Sequence, residues 1–452
     1  MKKIIITAVM IGVLAFLYGC IQPVSEVESL ELVGLDTLEF IQSDTMNVDI
    51  SGVDVVVTFA DDTTQTLGID EVTVTGSAGA FVTGEDYLLE MSTAGDFTLT
   101  IAYGGVTVSI TYTVRHEDWS NLTDTTWHNI VDTAFTIDTA AELAGLAEIV
   151  NSGTDTFAGD TITLGASIDL LHGQWTPIGT GEWALSNPPY GSGQTTTITQ
   201  SFQGSFNGGG FTISNLYVNQ SQGNYLGLFG VVTGTGTISN LTLDTVEIVG
   251  YGFTAAVAGY SVGTRTYDSI TLDTVHVESG HYNAGIVGYA GGSAGSVFTN
   301  NVLTDIVLMT YVLDIESNGD KTGGIVGYGP NSTVQDNTIT NIDATGYRDL
   351  GAVMGMVSGT DNSKVTGNTV TNATLHLDKT QLSNPNFRDG EKSDKIRAGI
   401  IIGRMGTAGY VVEATNTFTN ASIFIRGYEA SDFAEYAAVG IGFDDEADYT
   451  AA

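Results

Sequence analysis

The chain of 452 residues holds a single cysteine, Cys20, so no intramolecular disulfide can brace it. Proline is almost as scarce, with 6 residues, and Lys+Arg number 14 against 52 Asp+Glu, a formal net charge of −38. A surface of that sign repels phosphate backbones and anionic lipid, which excludes a nucleic-acid role. Helical patterning is nearly missing as well. Beyond the first twenty residues only one stretch carries it: the capping box Thr139-Ala140-Ala141-Glu142, a run from Leu143 to Val150, and Gly153 as the stop. Charged residues make up only 15% of the chain and glycines number 57, the composition of all-β secreted proteins rather than of a disordered acidic tail.

What is present is a repeat. Its clearest copy is Gly285-Ile286-Val287-Gly288-Tyr289, with near-copies at 227–230, 256–260 and 324–328 and weaker ones at 352–355, 399–403 and 438–440. The closing glycines 230, 259, 288, 327 and 355 are separated by 29, 29, 39 and 28 residues, the period of a stacked-repeat architecture. In phase with them run Asn240, Ser269, Asn301, Asn337, Asn368 and Asn416. Four residues further on come Asp244, Asp273, Asp305, Asn341, Asn372 and Asn420. Short β-branched stretches with glycine and Asx at the corners describe a coil of strand, turn, strand, turn. One coil cannot bury its apolar side alone, so neighbouring coils must stack. Residues 160–445 therefore read as a right-handed parallel β-helix that gains about 4.8 Å per coil, with 446–452 as a tail.

At the other end, Met1-Lys2-Lys3 and the apolar run to Tyr18 read as a signal peptide over 1–19, too short for a membrane span. Its last residues, Leu17-Tyr18-Gly19-Cys20, resemble the bacterial lipobox, with Tyr18 bulkier than usual. That resemblance implies lipidation at Cys20, residues 20–26 as a tether, and a place on the extracellular face of a bacterial cell membrane or outer membrane.

Residues 27–114 alternate apolar and polar in about seven short runs. Two of them, 97–103 and 106–112, are joined by Gly104-Gly105, a hairpin signal. Such a pattern fits a β-sandwich. The segment Val57-Thr58-Phe59-Ala60-Asp61-Asp62-Thr63-Thr64 and the closing run 103–114 resemble bacterial immunoglobulin-like domains. Residues 115–137 read as a polar linker whose Trp119 and Trp127 pack at a domain junction. His116, Glu117, Asp118 and His128 within it lack metal-ligand spacing. The helix, within 138–159, suits the end of a β-helix, which must cover its open edge.

The approach segment 161–216 and the Gly-Leu-Phe-Gly and Gly-Ile-Val-Gly motifs resemble GLUG-type repeats of bacterial surface proteins and adhesins, over roughly 135–445. The resemblance implies a cell-surface location and carries no catalytic residues. The expected fold is thus all-β: an immunoglobulin-like β-sandwich, a short capping helix, and a parallel β-helix.

Candidate chemistry is sparse. Asp244, Asp273 and Asp305 are expected to stack one rung apart, and the spacing mimics a glycosidase pair. An in-register ladder gives that distance on any β-helix, so a structural ladder is the favoured reading and calcium the candidate cofactor. Tyr260, Tyr289 and Tyr328 each follow a repeat glycine and form a row that either fills a face or contacts a ligand. The segment 378–397 breaks the period and carries Lys379, Arg388, Lys392, Lys395 and Arg397, so it is a candidate binding loop. Three functions compete: a non-catalytic surface protein that binds an extracellular protein or glycan, a polysaccharide lyase or hydrolase on a β-helix, and a purely structural spacer. The repeat favours the first, because an active site breaks a repeat at one place whereas these motifs recur coil after coil.

Overall fold

The computed structural model describes residues 26–34, 39–42, 48–77, 88–89, 91, 93–186, 193–292, 295–310, 321–346, 349–357, 363–378, 397–405, 411–412, 415–426 and 449–451. Cys20 and its signal sequence lie outside them. The chain divides into two units, Met1–Glu117 and Asp118–Ala452.

In the first unit, strands Val27–Val33, Asp54–Phe59 and Thr64–Gly68 form one sheet. Strands Glu39–Ile41, Val106–Arg115, Gly95–Tyr103 and Thr73–Gly76 form another. Leu30, Val55, Val57 and Leu67 of the first sheet and Leu99, Ile101, Val108 and Tyr112 of the second share one buried core. Alternation along 106–114 is nearly strict, which is how a strand half-covered by a core must read. The expected hairpin turns at Gly104 and Gly105, with φ of 58° and 84°, values that glycine adopts without strain.

The second unit is built of coils. Each full coil supplies one strand to each of four sheets, as in Thr237–Ser239, Thr242–Val249, Gly252–Ala255 and Ala258–Val262. Each of these pairs in parallel with the equivalent strand of the next coil. This is the connectivity of a parallel β-helix. The interior is one continuous apolar stack, in which Leu243, Leu272, Leu303, Ile339 and Val370 follow one another in register, each almost fully buried.

The helix, α1 (Ala140–Asn151), forms as expected: the Thr139 hydroxyl accepts from Glu142 N at 3.2 Å and the Glu142 carboxylate accepts from Thr139 N at 3.0 Å. Leu143, Leu146, Ile149 and Val150 of α1 enter the core of the coils. The linker reading of 115–137 needs correcting. Strand Ala134–Ile137 already pairs with Thr161–Leu164, so the sheets begin before α1. Trp119 and Trp127 also do not await a junction, because both pack against this unit's own core. Trp119 Nε1 donates to Leu170 O at 2.9 Å, and Trp127 stacks on Phe157 at 6.0 Å. His128 meets Asp155 at 3.0 Å, and Asp118 accepts from Ser120 N as a helix cap.

The repeat glycines work by close approach. At Gly288 a Cβ would sit 2.8 Å from Gly259 O and 2.9 Å from both Thr254 N and Tyr282 O, where the third and fourth sheets bend toward each other. Two Asx columns lie elsewhere, and one correction concerns each. Asn301, Asn337 and Asn368 are fully buried and Asn416 continues their column, but the first two coils place Leu241 and Ile270 there, not Asn240 and Ser269. Asn240 and Ser269 instead precede that column and hold φ of 51° and 55°, as Asn300 and Asp336 do in later coils. Asx suits both a left-handed turn and a buried amide, so residue type alone does not separate the two positions.

The second correction is similar. Asp244 pairs with Asp273, but Asp273 pairs with Thr304, so Asp305 is not in their column. Asp305 belongs with Asn215, Thr245, Thr274, Asn341, Asn372 and Asn420, where each strand of the second sheet bends through φ of 53–58°. Thr245 and Thr274 are out of place at such angles, because β-branched residues enter that region at a cost of roughly 1–3 kcal/mol. Asn341, Asn372 and Asn420 instead donate Nδ2 to the preceding side chain of the column at 2.8, 2.8 and 3.1 Å. Thr245→Asn should therefore stabilise the protein by about 1 kcal/mol, through relief of strain and a new bond to Asn215, read as a higher denaturant midpoint. An unchanged or lower midpoint would show that the bend stores no strain at Thr245.

Candidate functional site

The outer side of the corner between the third and fourth sheets carries two columns of aromatic side chains. Tyr260, Tyr289 and Tyr328 pair in register along the fourth sheet, as the motif spacing implied. Alongside runs a column that sequence reading missed: Tyr225, Phe253 and Tyr282, followed in the same register by Lys321 and Asp349. The available signal was an aromatic two or three residues ahead of each of the first three repeat motifs.

Geometry decides what these rings can do. Tyr225, Phe253 and Tyr282 are 2%, 2% and 6% exposed and stack face to face at 5.0 and 4.7 Å. Tyr260 and Tyr289 stack at 4.9 Å with planes 14° apart, and Tyr328 follows Tyr289 at 5.1 Å. The two columns meet edge to face, Tyr282 against Tyr289 at 5.4 Å and 85°, an arrangement that the ring quadrupole favours. Tyr260 and Tyr289 thus spend one face each on the other, Tyr328 lies tilted at 59° to Tyr289, and all three rings remain half-buried.

A hairpin, Thr180–Ser186 with Gly193–Gln200, leans over the start of this corner. Its Trp183 packs against Tyr251, Phe253 and His281 at 5.6, 5.5 and 5.0 Å. At the other end Lys321 Nζ sits 5.1 Å from the Tyr282 ring centre, a cation–π contact, and Asp349 faces Arg404 at 3.6 Å. Burial, aided by the charge of Lys321, pushes the His281 imidazole down to about 3 and keeps it neutral.

Of the other candidates, Arg397 opens the strand Arg397–Gly399 and pairs in register with Asp349, which places it at the end of the column of Tyr282 and Lys321, whereas Lys392 and Lys395 lie outside the described residues. Asp244 accepts from the Thr245 hydroxyl and Asp273 from that of Thr274. Among the described residues no group of three or more His, Cys, Asp or Glu side chains is arranged to hold a metal ion. Charge is unevenly distributed: between residues 26 and 320 the only Lys or Arg are Arg115 and Arg265, 5% and 0% exposed. Arg265 is spent internally, donating to Gln203 O, Thr233 O and Gly204 O at 3.3, 3.1 and 2.8 Å. The exposed charge of this stretch is therefore carried by carboxylates.

Burial also raises the tyrosine pKa values, to about 12 at Tyr225 and Tyr260, and upward at Tyr289, where the neighbouring tyrosines add to the effect. The unfolded chain ionises these phenols near 10 and the folded chain does not, so the folded state holds more protons across pH 10 to 12. Stability should be intact below pH 10 and fall as pH rises through that window. Phenolate absorbance should show a late-ionising class that shrinks in Tyr260→Phe. A single step at the ordinary tyrosine value, with the fold intact, would contradict the packing of the row.

No family model matches the chain, and no solved structure matches it. Two curated proteins share segments with it. Halomucin of Haloquadratum walsbyi is 29% identical over 188 residues, covering 38% of this chain and 2% of that protein. A putative Gly-rich membrane protein of Evansella cellulosilytica is 30% identical over 109 residues, covering 24% of this chain and 11% of that protein. The chain thus spans a small part of each relative's length. No helix among the described residues is long and apolar enough to cross a membrane.

Proposed function

We propose that this is a lipid-anchored bacterial surface protein, an immunoglobulin-like domain followed by a right-handed GLUG-type β-helix, that binds a neutral extracellular glycan without transforming it. The observation that carries the reading is the tyrosine row. Three half-buried phenols stand in register along the outside of the β-helix, with ring centres 4.9 and 5.1 Å apart. Phenol hydroxyl groups both donate and accept, the complement of a chain of sugar hydroxyls lying along the β-helix. A carboxylate surface disfavours acidic glycans, which supports a neutral ligand. The name of one partial relative as a membrane protein is consistent with a place at the membrane.

On a glycan array the full chain should retain neutral glycans, and Tyr289→Phe together with Tyr328→Phe should weaken retention about tenfold, the loss expected from one or two hydroxyl hydrogen bonds. No reducing sugar should be released. Turnover of any polysaccharide, or binding indifferent to both hydroxyls, overturns the reading. The anchor has its own test: Cys20→Ser should appear in the soluble fraction or accumulate as uncleaved precursor, and unchanged processing with membrane retention excludes lipidation there.

A further inference from the structure

The interior of the β-helix holds a positive charge with no negative charge opposite it. Arg265 follows the turn between strands Ala258–Val262 and Thr266–Asp268 and is fully buried. Among the described residues no carboxylate pairs with it, in a chain that has 52 Asp+Glu to offer. Its side chain reaches back across Gly236, where a Cβ would sit 2.7 Å from Nη1. Both Nη groups spend hydrogen bonds on the three carbonyls named above, whereas Nε–H has no acceptor. Carbonyl dipoles reduce the cost of burying a cation without neutralising it.

Three buried hydroxyls beside it are unpaired as well. Ser261, Tyr267 and Ser296 are 0%, 0% and 1% exposed, and none of their oxygens has a hydrogen-bond partner. The Tyr267 phenol lies near enough to Arg265 and Ser261 to be influenced by both, and burial raises its pKa, so it stays protonated. Ser296 stands next to Arg265 in the following coil, because Thr266 pairs with Val297 and Val297 N donates to Arg265 O at 2.8 Å. Ala290 of that coil pairs with Ser261. A serine and an alanine thus cover the cluster, where leucine or valine fills other parts of the stack. Nearly every buried polar atom in a folded protein is paired. The asparagines of the same interior obey that rule, Asn301 bonding to Asn337 and Asn337 to Asn368. The cluster at Arg265 does not.

We infer that this cluster binds a chloride ion inside the β-helix, held by Arg265 Nε and the hydroxyls of Ser261, Tyr267 and Ser296. All four groups are donors, and the hydroxyl hydrogens rotate to suit an acceptor placed among them. Charge selects the occupant. One guanidinium and one monoanion leave the interior neutral, whereas sulfate or phosphate would bury an excess negative charge. A water molecule accepts some of these hydrogen bonds and leaves the cation uncompensated. Full burial of all four side chains favours an ion without a carbon body to accommodate. The site is separate from the tyrosine row and does not depend on what that row binds.

The test is the thermal melt of the full chain in sodium chloride against sodium gluconate at matched ionic strength. That comparison separates ion binding from general screening of a net charge of −38. Chloride should raise the midpoint above the gluconate value and the rise should follow a binding curve, as for any ligand of the folded state alone. Bromide should act in the same way. Tyr267→Phe keeps the ring that stacks on Phe298 at 5.0 Å and removes one donor, and Ser261→Ala removes another. Each should raise the half-saturating chloride concentration about tenfold, the loss of one hydrogen bond to a charged group. Equal midpoints in the two salts mean that water alone fills the site and overturn the proposal. A chloride response that both substitutions leave unchanged places the ion elsewhere and overturns it too.

Discussion

The parallel hydrogen-bonded contact between one coil and the next is the interaction on which everything in the second unit depends. It satisfies the backbone of each coil with its neighbour's, and it forces every position of the repeat into a column. A column tolerates only groups that are content beside a copy of themselves. Leucine and isoleucine satisfy that condition inside. The buried asparagines satisfy it by amide pairing: Asn301 Nδ2 donates to Asn337 Oδ1 at 2.8 Å and Asn337 Nδ2 to Asn368 Oδ1 at 2.9 Å. Their remaining Nδ2 hydrogens go to Tyr267 O and Phe298 O at 3.1 Å each, so no amide hydrogen of this pair is left without a partner in the core.

The same condition explains why carboxylates are rare within columns. Asp244 over Asp273 is a pair of like charges, and the next coil breaks it with Thr304. It also explains how the aromatic corner holds together. Rings one coil apart stack at the distance the strands impose, and the crossing column contacts them by their edges. Function on this scaffold is then a matter of which column faces outward and what repeats in it, so sites take the form of rows rather than pockets.

Much of the architecture was legible in the chain itself. Periodic glycine, β-branched runs and Asx corners are local consequences of a coil, and α1 is announced by Thr139 and Glu142 with no help from the rest of the fold. The tyrosine row was legible because Tyr260, Tyr289 and Tyr328 keep a constant distance from a repeat glycine. What failed was register. Asn240 looks like Asn301 and Asp305 looks like Asp273 when offsets are counted along the chain, but turns of different length shift each by one position.

The amino-acid sequence by itself determined that the chain coils, where the coils begin to repeat, and that its surface is acidic, because these follow from local backbone preference and from composition. Only the tertiary structure decided which residues share a column, that Tyr225, Phe253 and Tyr282 stand beside the tyrosine row, and that Arg265 is spent on three carbonyls. The physical reason is that neighbours in this protein are made by hydrogen bonds between coils about thirty residues apart, and one extra residue in a turn changes every neighbour while leaving the repeat in view.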